Sequence, residues 1–259
     1  MKRIHLILLL ILPVISQGLF QEKAYGEERI LTKAADYESM IPTKVLREIK
    51  LPENGYHEGL LLENGNIVIN NGEGINSWVV DLKSGSLLKE IDPIATFTEG
   101  ITHAPGGKYW VTDWNTKKLY LVKIVANKMV SESEISFAPS HPAGVIWTGK
   151  HLYLIIWTRG LGTKYHILKM DKNGAIIDRI NITDINEPTQ LAWDGRHLWI
   201  TSWFKRRAYK IDIDNLEIKG YFRTNIEKTS GIVWDGKYFW ITGTNANLRQ
   251  IEILPSQEK

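Results

Sequence analysis

The chain contains no cysteine among its 259 residues, so disulfide bonds, thiolate metal ligands and a cysteine nucleophile are all excluded. A lipoprotein anchor on cysteine is excluded for the same reason. The chain also has little excess charge, because a formal net charge of +3 is small for its length. This balance does not supply the basic surface that nucleic-acid binding requires, so no nucleic-acid partner is expected.

Long hydrophobic runs are equally scarce, and the one clear run lies at the N-terminus. Residues 4–15 are apolar and follow Lys2 and Arg3, but the run is too short to span a bilayer. The pattern is typical of a signal peptide, with cleavage expected after Gly26 in A-Y-G or, as a second option, after Ser16 in V-I-S. The alternative is an uncleaved membrane anchor. The mature protein is therefore expected to be exported, either periplasmic or secreted, with no membrane span.

What the sequence does contain is a repeat that is rich in tryptophan and in β-forming residues. A unit of predicted strands and hairpin turns recurs about every 41 to 46 residues. The five units begin at Tyr56, Phe97, His141, Glu187 and Thr229. This period is that of a propeller blade, and the units contain too much β-strand for a helical repeat. The sequence therefore predicts an all-β fold, a five-bladed β-propeller, with a two-sheet sandwich as the alternative.

The two ends of the chain are expected to meet in the last blade. The fifth unit stops near Leu254 after only three strands, whereas residues 44–51 form an isolated strand before the first unit. We therefore expect this N-terminal strand to pair with residues 248–253 and to close the ring. The predicted organisation is a signal peptide at 1–26, a polar and irregular leader at 27–43, the propeller at 44–254 and a tail at 255–259.

The repeat also predicts where a site would form. In a propeller the first strand of each blade lines the central channel, and its start lies beside the end of the second strand. Polar and aromatic residues at these places should form a pocket for a peptide or small-molecule ligand. The residues expected there are Tyr56, Glu58, Glu99, Thr189 and Gln190 from strand starts, and Trp114, Trp157, Trp203 and Thr244 from strand ends.

Several segments resemble those of one known family. F-T-E-G-I-T at residues 97–102 is similar to the F-G-E-G-I-T segment of plant and bacterial glutaminyl cyclases, also called glutamine cyclotransferases. Trp114 matches the tryptophan of that family's L-T-W ending. Residues 56–60, Y-H-E-G-L, resemble F-T-Q-G-L, and residues 189–203 parallel N-E-L-E followed by N-V-W, with Trp203 in register. The resemblance extends over all five units and implies a five-bladed propeller.

The resemblance also implies an activity. Members of the family convert an N-terminal glutamine into pyroglutamate and release ammonia, without a metal or other cofactor. Glu99 would be the acid–base group that moves the proton, and the two matching indoles would be walls of the substrate pocket. Ala143, Thr189 and Thr244 stand where the family has tryptophan, asparagine and lysine, so several of its polar contacts to substrate are replaced.

Two other functions are compatible with the sequence. The first is a non-catalytic extracytoplasmic propeller that binds a peptide, a glycan or a partner protein in the same pocket. The second is a calcium-dependent lactonase, which would need several oxygen ligands around one ion, whereas only Glu58 and Glu99 are clear acidic candidates. No metal site and no cofactor are predicted, and the chain is expected to be a monomer.

Overall fold

The computed structural model describes residues 28–38, 40–53, 55–244 and 247–255, and over these residues it contains strands and no helix. The predicted signal peptide at residues 1–26 lies outside the described residues, and so does nearly all of the predicted tail. Within this part of the chain, no helix has the length and the apolar character needed to cross a membrane. The all-β prediction is confirmed for the described residues.

The strands are numbered in chain order. Those of the first half are β1 (Arg29–Glu38), β2 (Thr43–Ile49), β3 (His57–Glu63), β4 (Asn66–Asn71), β5 (Ser77–Asp81), β6 (Leu87–Ile91), β7 (Thr98–Ala104), β8 (Lys108–Asp113), β9 (Lys118–Val125) and β10 (Lys128–Ser136). Those that follow are β11 (His141–Trp147), β12 (Leu152–Thr158), β13 (Lys164–Met170), β14 (Ile176–Ile182), β15 (Pro188–Trp193), β16 (Leu198–Ser202), β17 (Arg207–Asp212), β18 (Glu217–Arg223), β19 (Thr229–Trp234), β20 (Phe239–Gly243) and β21 (Leu248–Ile253).

These strands form four-stranded antiparallel units in which neighbours along the chain are paired. β3 to β6, β7 to β10, β11 to β14 and β15 to β18 are such units, and β19 to β21 are completed by β2. In this last unit β2 runs antiparallel to β21, with Lys44 opposite Glu252 and Ile49 opposite Leu248. The predicted pairing of the N-terminal strand with the end of the chain is confirmed.

The first strands of the units form a closed inner ring. β3 contacts β7, β7 contacts β11, β11 contacts β15, β15 contacts β19, and β19 contacts β3. Glycine allows the backbones to approach, because a Cβ on Gly59 would lie 2.4 Å from Glu99 O and one on Gly144 would lie 2.5 Å from Thr189 O. A larger residue at either position would force neighbouring strands apart. The arrangement is consistent with a β-propeller.

The prediction that residues 27–43 form an irregular leader is wrong, because β1 lies within them. This ten-residue strand lies between β14 and β18 and pairs in parallel with both, which joins two units into a nine-stranded sheet. Among its described side chains Leu31 and Ala34 are the buried ones, so the sequence lacks the alternation typical of a strand. The strand forms because the edges of β14 and β18 offer backbone partners, a tertiary effect that overrides the local sequence.

Trp199 and Trp240 are core residues, and each donates a hydrogen bond to an aspartate in the preceding turn. Asp194 Oδ2 accepts a hydrogen bond from Trp199 Nε1 at 2.8 Å, and Asp235 Oδ2 accepts one from Trp240 Nε1 at 2.9 Å. The Oδ1 atom of each aspartate accepts two main-chain N–H groups of its own turn. The repeated W-D-G turn thus connects a hairpin to a buried indole.

Asp235→Ala should lower the free energy of unfolding by about 1–3 kcal/mol more than a matched turn variant, because Trp240 Nε1 would stay buried without an acceptor. Asp171→Ala is the matched variant, since Asp171 accepts the N–H groups of Asn173 and Ala175 but no indole. Urea denaturation of both proteins measures the difference. Equal losses would show that the indole hydrogen bond contributes nothing to stability.

Candidate functional site

The two acidic residues singled out by the sequence lie at β-bulges of neighbouring inner strands. The pairing of β7 with β8 shifts register between Thr98 and Ile101, which places Glu99 in a bulge. The pairing of β3 with β4 shifts in the same way around Glu58. A bulge changes the direction in which a side chain points. Because β3 and β7 are adjacent in the inner ring, the two carboxyl groups come together at one cavity.

Threonines of the second strands hold the bulges in place. Thr112 Oγ1 accepts a hydrogen bond from the N–H of Gly100 at 2.7 Å and donates one to Ala143 O at 2.6 Å. In the fourth unit, Thr201 Oγ1 accepts a hydrogen bond from the N–H of Gln190 at 3.0 Å. These contacts satisfy main-chain groups that the irregular pairing leaves without a strand partner. The position of Glu99 is therefore fixed by backbone structure.

Glu58 and Glu99 are a buried carboxyl pair, with exposed fractions of 0% and 8%. Neither carboxyl oxygen of Glu58 has a hydrogen-bond partner of normal geometry among the described residues. The Glu99 carboxyl is nonetheless close enough to change the pKa of Glu58. Burial, followed by the charge of Glu99, raises the pKa of Glu58 well above its usual range. Burial also raises the pKa of Glu99 to about 8; the neighbouring Glu58 carboxyl opposes that rise and the charge of Asp113 adds to it. Near neutral pH this pair retains protons that exposed glutamates would lose.

The carboxyl pair lies in a cavity of about 430 Å³ with aromatic walls. The aromatic lining residues are Tyr56, Phe97, Trp114, Trp157, Trp203 and Phe204. The other lining residues are Glu58, Glu99, Asn115, Ala143, Arg159, Glu187 and Thr189. A cavity of this size, with apolar walls and a few polar groups, is typical of a small-ligand site.

One wall of the cavity is a set of stacked rings around Trp114. Its indole stacks on the His141 ring at 4.5 Å between centroids and meets Trp157 edge-on at 5.3 Å. Trp157 Nε1 donates a hydrogen bond to Pro188 O at 2.7 Å, and Arg159 Cζ lies 5.1 Å from the Trp114 ring centroid. The wall is rigid because each ring has a partner, and its outer side carries a cation.

Most residues predicted for the site line this cavity. They are Tyr56, Glu58, Glu99, Trp114, Trp157, Thr189 and Trp203. Gln190 and Thr244 are not among its lining residues. Gln190 follows the bulge residue, at the position where Gly144 stands in the preceding inner strand, and its side chain is buried. The Thr244 N–H bonds to Lys228 O at 3.2 Å, the contact that the Trp203 N–H makes to Glu187 O, so Thr244 occupies the equivalent strand end, and its side chain lies close to the lining residue Tyr56.

Other lining residues were not predicted for the site. They are Phe97, Asn115, Arg159, Glu187 and Phe204. Asn115, Arg159 and Phe204 follow the predicted indoles by one or two residues. The loop after each second strand was therefore the sequence feature that could have identified them. Glu187 has a φ of 52° and its carbonyl accepts the N–H of Trp203 at 2.9 Å, which fixes the loop at the mouth of the cavity.

No protein-family model matches the sequence, and no curated protein matches it. Among solved structures, the glutaminyl cyclase of Myxococcus xanthus is similar in fold, with a TM-score of 0.67 at 14% identity, covering 84% of this chain and 100% of that one. The PQQ-bound aldose sugar dehydrogenase of Streptomyces coelicolor has a TM-score of 0.55 at 12% identity, covering 83% and 99%. A chain of the nidogen/laminin complex has a TM-score of 0.54 at 15% identity, covering 73% and 72%. These similarities show a propeller-like fold related to that of glutaminyl cyclase.

Clusters of metal-ligand type are absent from the part of the chain that the structure describes. Within it, no group of three or more His, Cys, Asp or Glu side chains is arranged to hold a metal ion.

Proposed function

We propose that the chain is a five-bladed β-propeller and that its central pocket converts an N-terminal glutamine into pyroglutamate with release of ammonia. The observation that carries this proposal is the buried Glu99 carboxyl, which lines an aromatic pocket and has a pKa raised to about 8. The fold similarity to the Myxococcus xanthus glutaminyl cyclase and the motif at residues 97–102 support it.

The reaction needs one group that moves a proton in both directions. The α-amine nitrogen attacks the side-chain amide carbon, and the Glu99 carboxylate takes the proton that the amine loses. The same proton then passes to the amide nitrogen, the carbon–nitrogen bond breaks and ammonia leaves. An α-amino group has a pKa of about 7.7–8.0, so near pH 8 much of the substrate amine is unprotonated and able to attack while part of Glu99 is ionised. A catalytic pKa near the operating pH is what efficient acid–base catalysis requires.

Glu58 has a different part in this proposal. Burial and the charge of Glu99 raise its pKa well above its usual range, which favours the protonated carboxyl, and that form is a hydrogen-bond donor. A neutral donor beside Glu99 stabilises the Glu99 carboxylate when it forms, and it can also approach the oxygen that becomes negative during attack. The indoles of Trp114 and Trp203 hold the substrate folded, so that amine and amide meet.

A second candidate function is non-catalytic binding of a peptide, a glycan or a partner protein. The exposure of Phe204, 57% of whose surface faces solvent at the cavity rim, favours it, because exposed aromatic groups at a rim suit a partner. Ala143 and Thr189 favour it as well, since they replace larger substrate contacts of the resembling family. In both cases we propose an exported monomer whose ligand enters the same pocket.

The direct test is conversion of a glutamine-initiated peptide by the purified protein, followed by mass spectrometry as the loss of one ammonia. A glutamate-initiated peptide of the same sequence is the matched control, and the spontaneous rate in buffer is the baseline. Because Glu99 must lose its proton to act as the base, kcat/KM should rise with pH through about 8. A rate no faster than buffer at every pH would reject catalysis. Quenching of tryptophan fluorescence by the peptide would then test the binding function.

A further inference from the structure

A second cavity, of about 420 Å³, shares no lining residue with the central pocket. On one side it is lined by the segment 137–140, which follows β10, and on the other by side chains of β12, β13 and β14. Phe137, Ile156 and Leu168 provide a buried apolar surface. The polar side chains that line it are Ser140, Thr158 and Arg179.

Arg179 has no acidic partner among the described residues. Its Nε is buried without a hydrogen-bond acceptor there, and no carboxylate in this part of the chain lies within ion-pair distance of its guanidinium. The adjacent Asp178 forms an ion pair with Arg29. From Arg179 it accepts the main-chain N–H, at 2.8 Å, and not the guanidinium. Arg179 as a whole is half-buried, but its Nε–H is shielded from solvent and lacks an acceptor, so this donor is available to an anion in the cavity.

The neighbouring histidine does not supply that anion. His166 Nδ1 lies 3.4 Å from a terminal nitrogen of Arg179. Burial, followed by the positive charge of Arg179 and then of Lys164, lowers the pKa of His166 to about 4, while Glu28 opposes this weakly. The ring is therefore neutral at physiological pH and accepts a hydrogen bond from the guanidinium. The positive charge of Arg179 is left uncompensated beside the cavity.

Two hydroxyl groups complete the polar side. Ser140 Oγ and Thr158 Oγ1 are 2.9 Å apart, so one of them donates to the other. The hydrogen of the second hydroxyl is not used in that bond and can be donated to a bound ligand. A guanidinium and a hydroxyl suit a carboxylate, which accepts charge-assisted hydrogen bonds from both.

We propose that this cavity binds a small organic monoanion, a carboxylate with an apolar body. Its charged end would contact Arg179 and the hydroxyl pair, and its apolar body would cover Phe137, Ile156 and Leu168. Inorganic phosphate fits less well, because one cation and apolar walls do not satisfy a dianion with many acceptor oxygens. The proposal does not depend on the reaction proposed for the central pocket.

Calorimetric titration with octanoate at pH 7 tests the proposal, with 1-octanol and inorganic phosphate as matched probes. Octanoate should bind saturably at one site per chain, and Arg179→Gln should weaken it by roughly 10-fold or more, the effect of losing a hydrogen bond to a charged group. Arg196→Gln is the control, because Arg196 is exposed in a turn and lines neither cavity, so its loss should leave octanoate binding unchanged. Octanol and phosphate should both bind much more weakly than octanoate.

A second variant keeps the proposal testable if Arg179→Gln fails to fold. Thr158→Trp keeps Arg179 but fills the cavity, so it should also abolish octanoate binding. Bound octanoate should in addition raise the pKa of His166, measured by NMR, because an anion beside the ring stabilises its protonated form. Absence of saturable binding, wild-type affinity in either cavity variant, or equal affinity for octanol or phosphate would overturn the proposal.

Discussion

Glu99→Gln should slow pyroglutamate formation by ~10²–10⁴-fold, the usual contribution of an acid–base group. Glutamine keeps the size and the hydrogen-bonding capacity of the carboxyl but cannot take up the amine's proton. The loss should appear in kcat more than in KM, since the walls that hold the substrate are unchanged. Steady-state kinetics with a glutamine-initiated peptide measure both constants.

Glu58→Gln is the matched control for this prediction. Glu58 lies beside Glu99 and is also buried, but glutamine still offers a neutral donor, which is the part assigned to Glu58. The Glu58 variant should therefore keep much more activity than the Glu99 variant. Equal losses in the two variants, or wild-type turnover after Glu99→Gln, would show that Glu99 does not carry the proton.

The Glu99 variant should also differ from the wild type in how its free energy of unfolding depends on pH. The folded-state pKa of about 8 lies above the value of about 4.3 for an unfolded-chain glutamate. Between these values the folded protein binds more protons than the unfolded chain, so stability falls as pH rises. Glu99→Gln removes this ionisation and should lose less stability than the wild type between pH 5 and pH 8.

Much of the fold could be predicted because each unit has clear local signals. Turn residues such as Asp235 and Gly236 separate strands with apolar and aromatic side chains, and the repeat then places the units in order. The pairing of β2 with β21 followed from a count of strands in the last unit. β1 could not be predicted in this way, because its burial depends on two sheet edges that exist only after the chain has folded.

The site could be predicted only in part, for a related reason. The repeat placed Glu58 and Glu99 at equivalent positions of neighbouring strands, so their proximity followed from the sequence. Their pKa values depend on burial inside the ring, which local sequence does not show. Gln190 was misjudged because adjacent residues at a bulge point in different directions. Phe204 and Glu187 belong to loops whose course is set by other elements.

Deleting residues 27–52, which include β2 and the segment that follows it, should unfold the protein or cause it to aggregate. β21 would become an exposed edge strand, which is prone to pair with other chains. Ile49 and Leu51 would also leave the core cluster that contains Leu60 and Trp240. Each buried aliphatic side chain contributes about 1.5–3 kcal/mol, so these two alone account for a large part of the 5–15 kcal/mol that is typical of a domain.

A shorter deletion, of residues 27–39, separates the effect of β2 from that of β1. It removes β1 and exposes the edges of β14 and β18, but it leaves the last unit closed by β2. Size-exclusion chromatography and thermal unfolding followed by circular dichroism should show a folded, less stable protein for this variant and no folded monomer for the longer deletion. A longer-deletion protein as soluble and as stable as the full chain would mean that β2 is not needed to close the ring. The four-stranded units would then hold together through contacts between their inner strands alone.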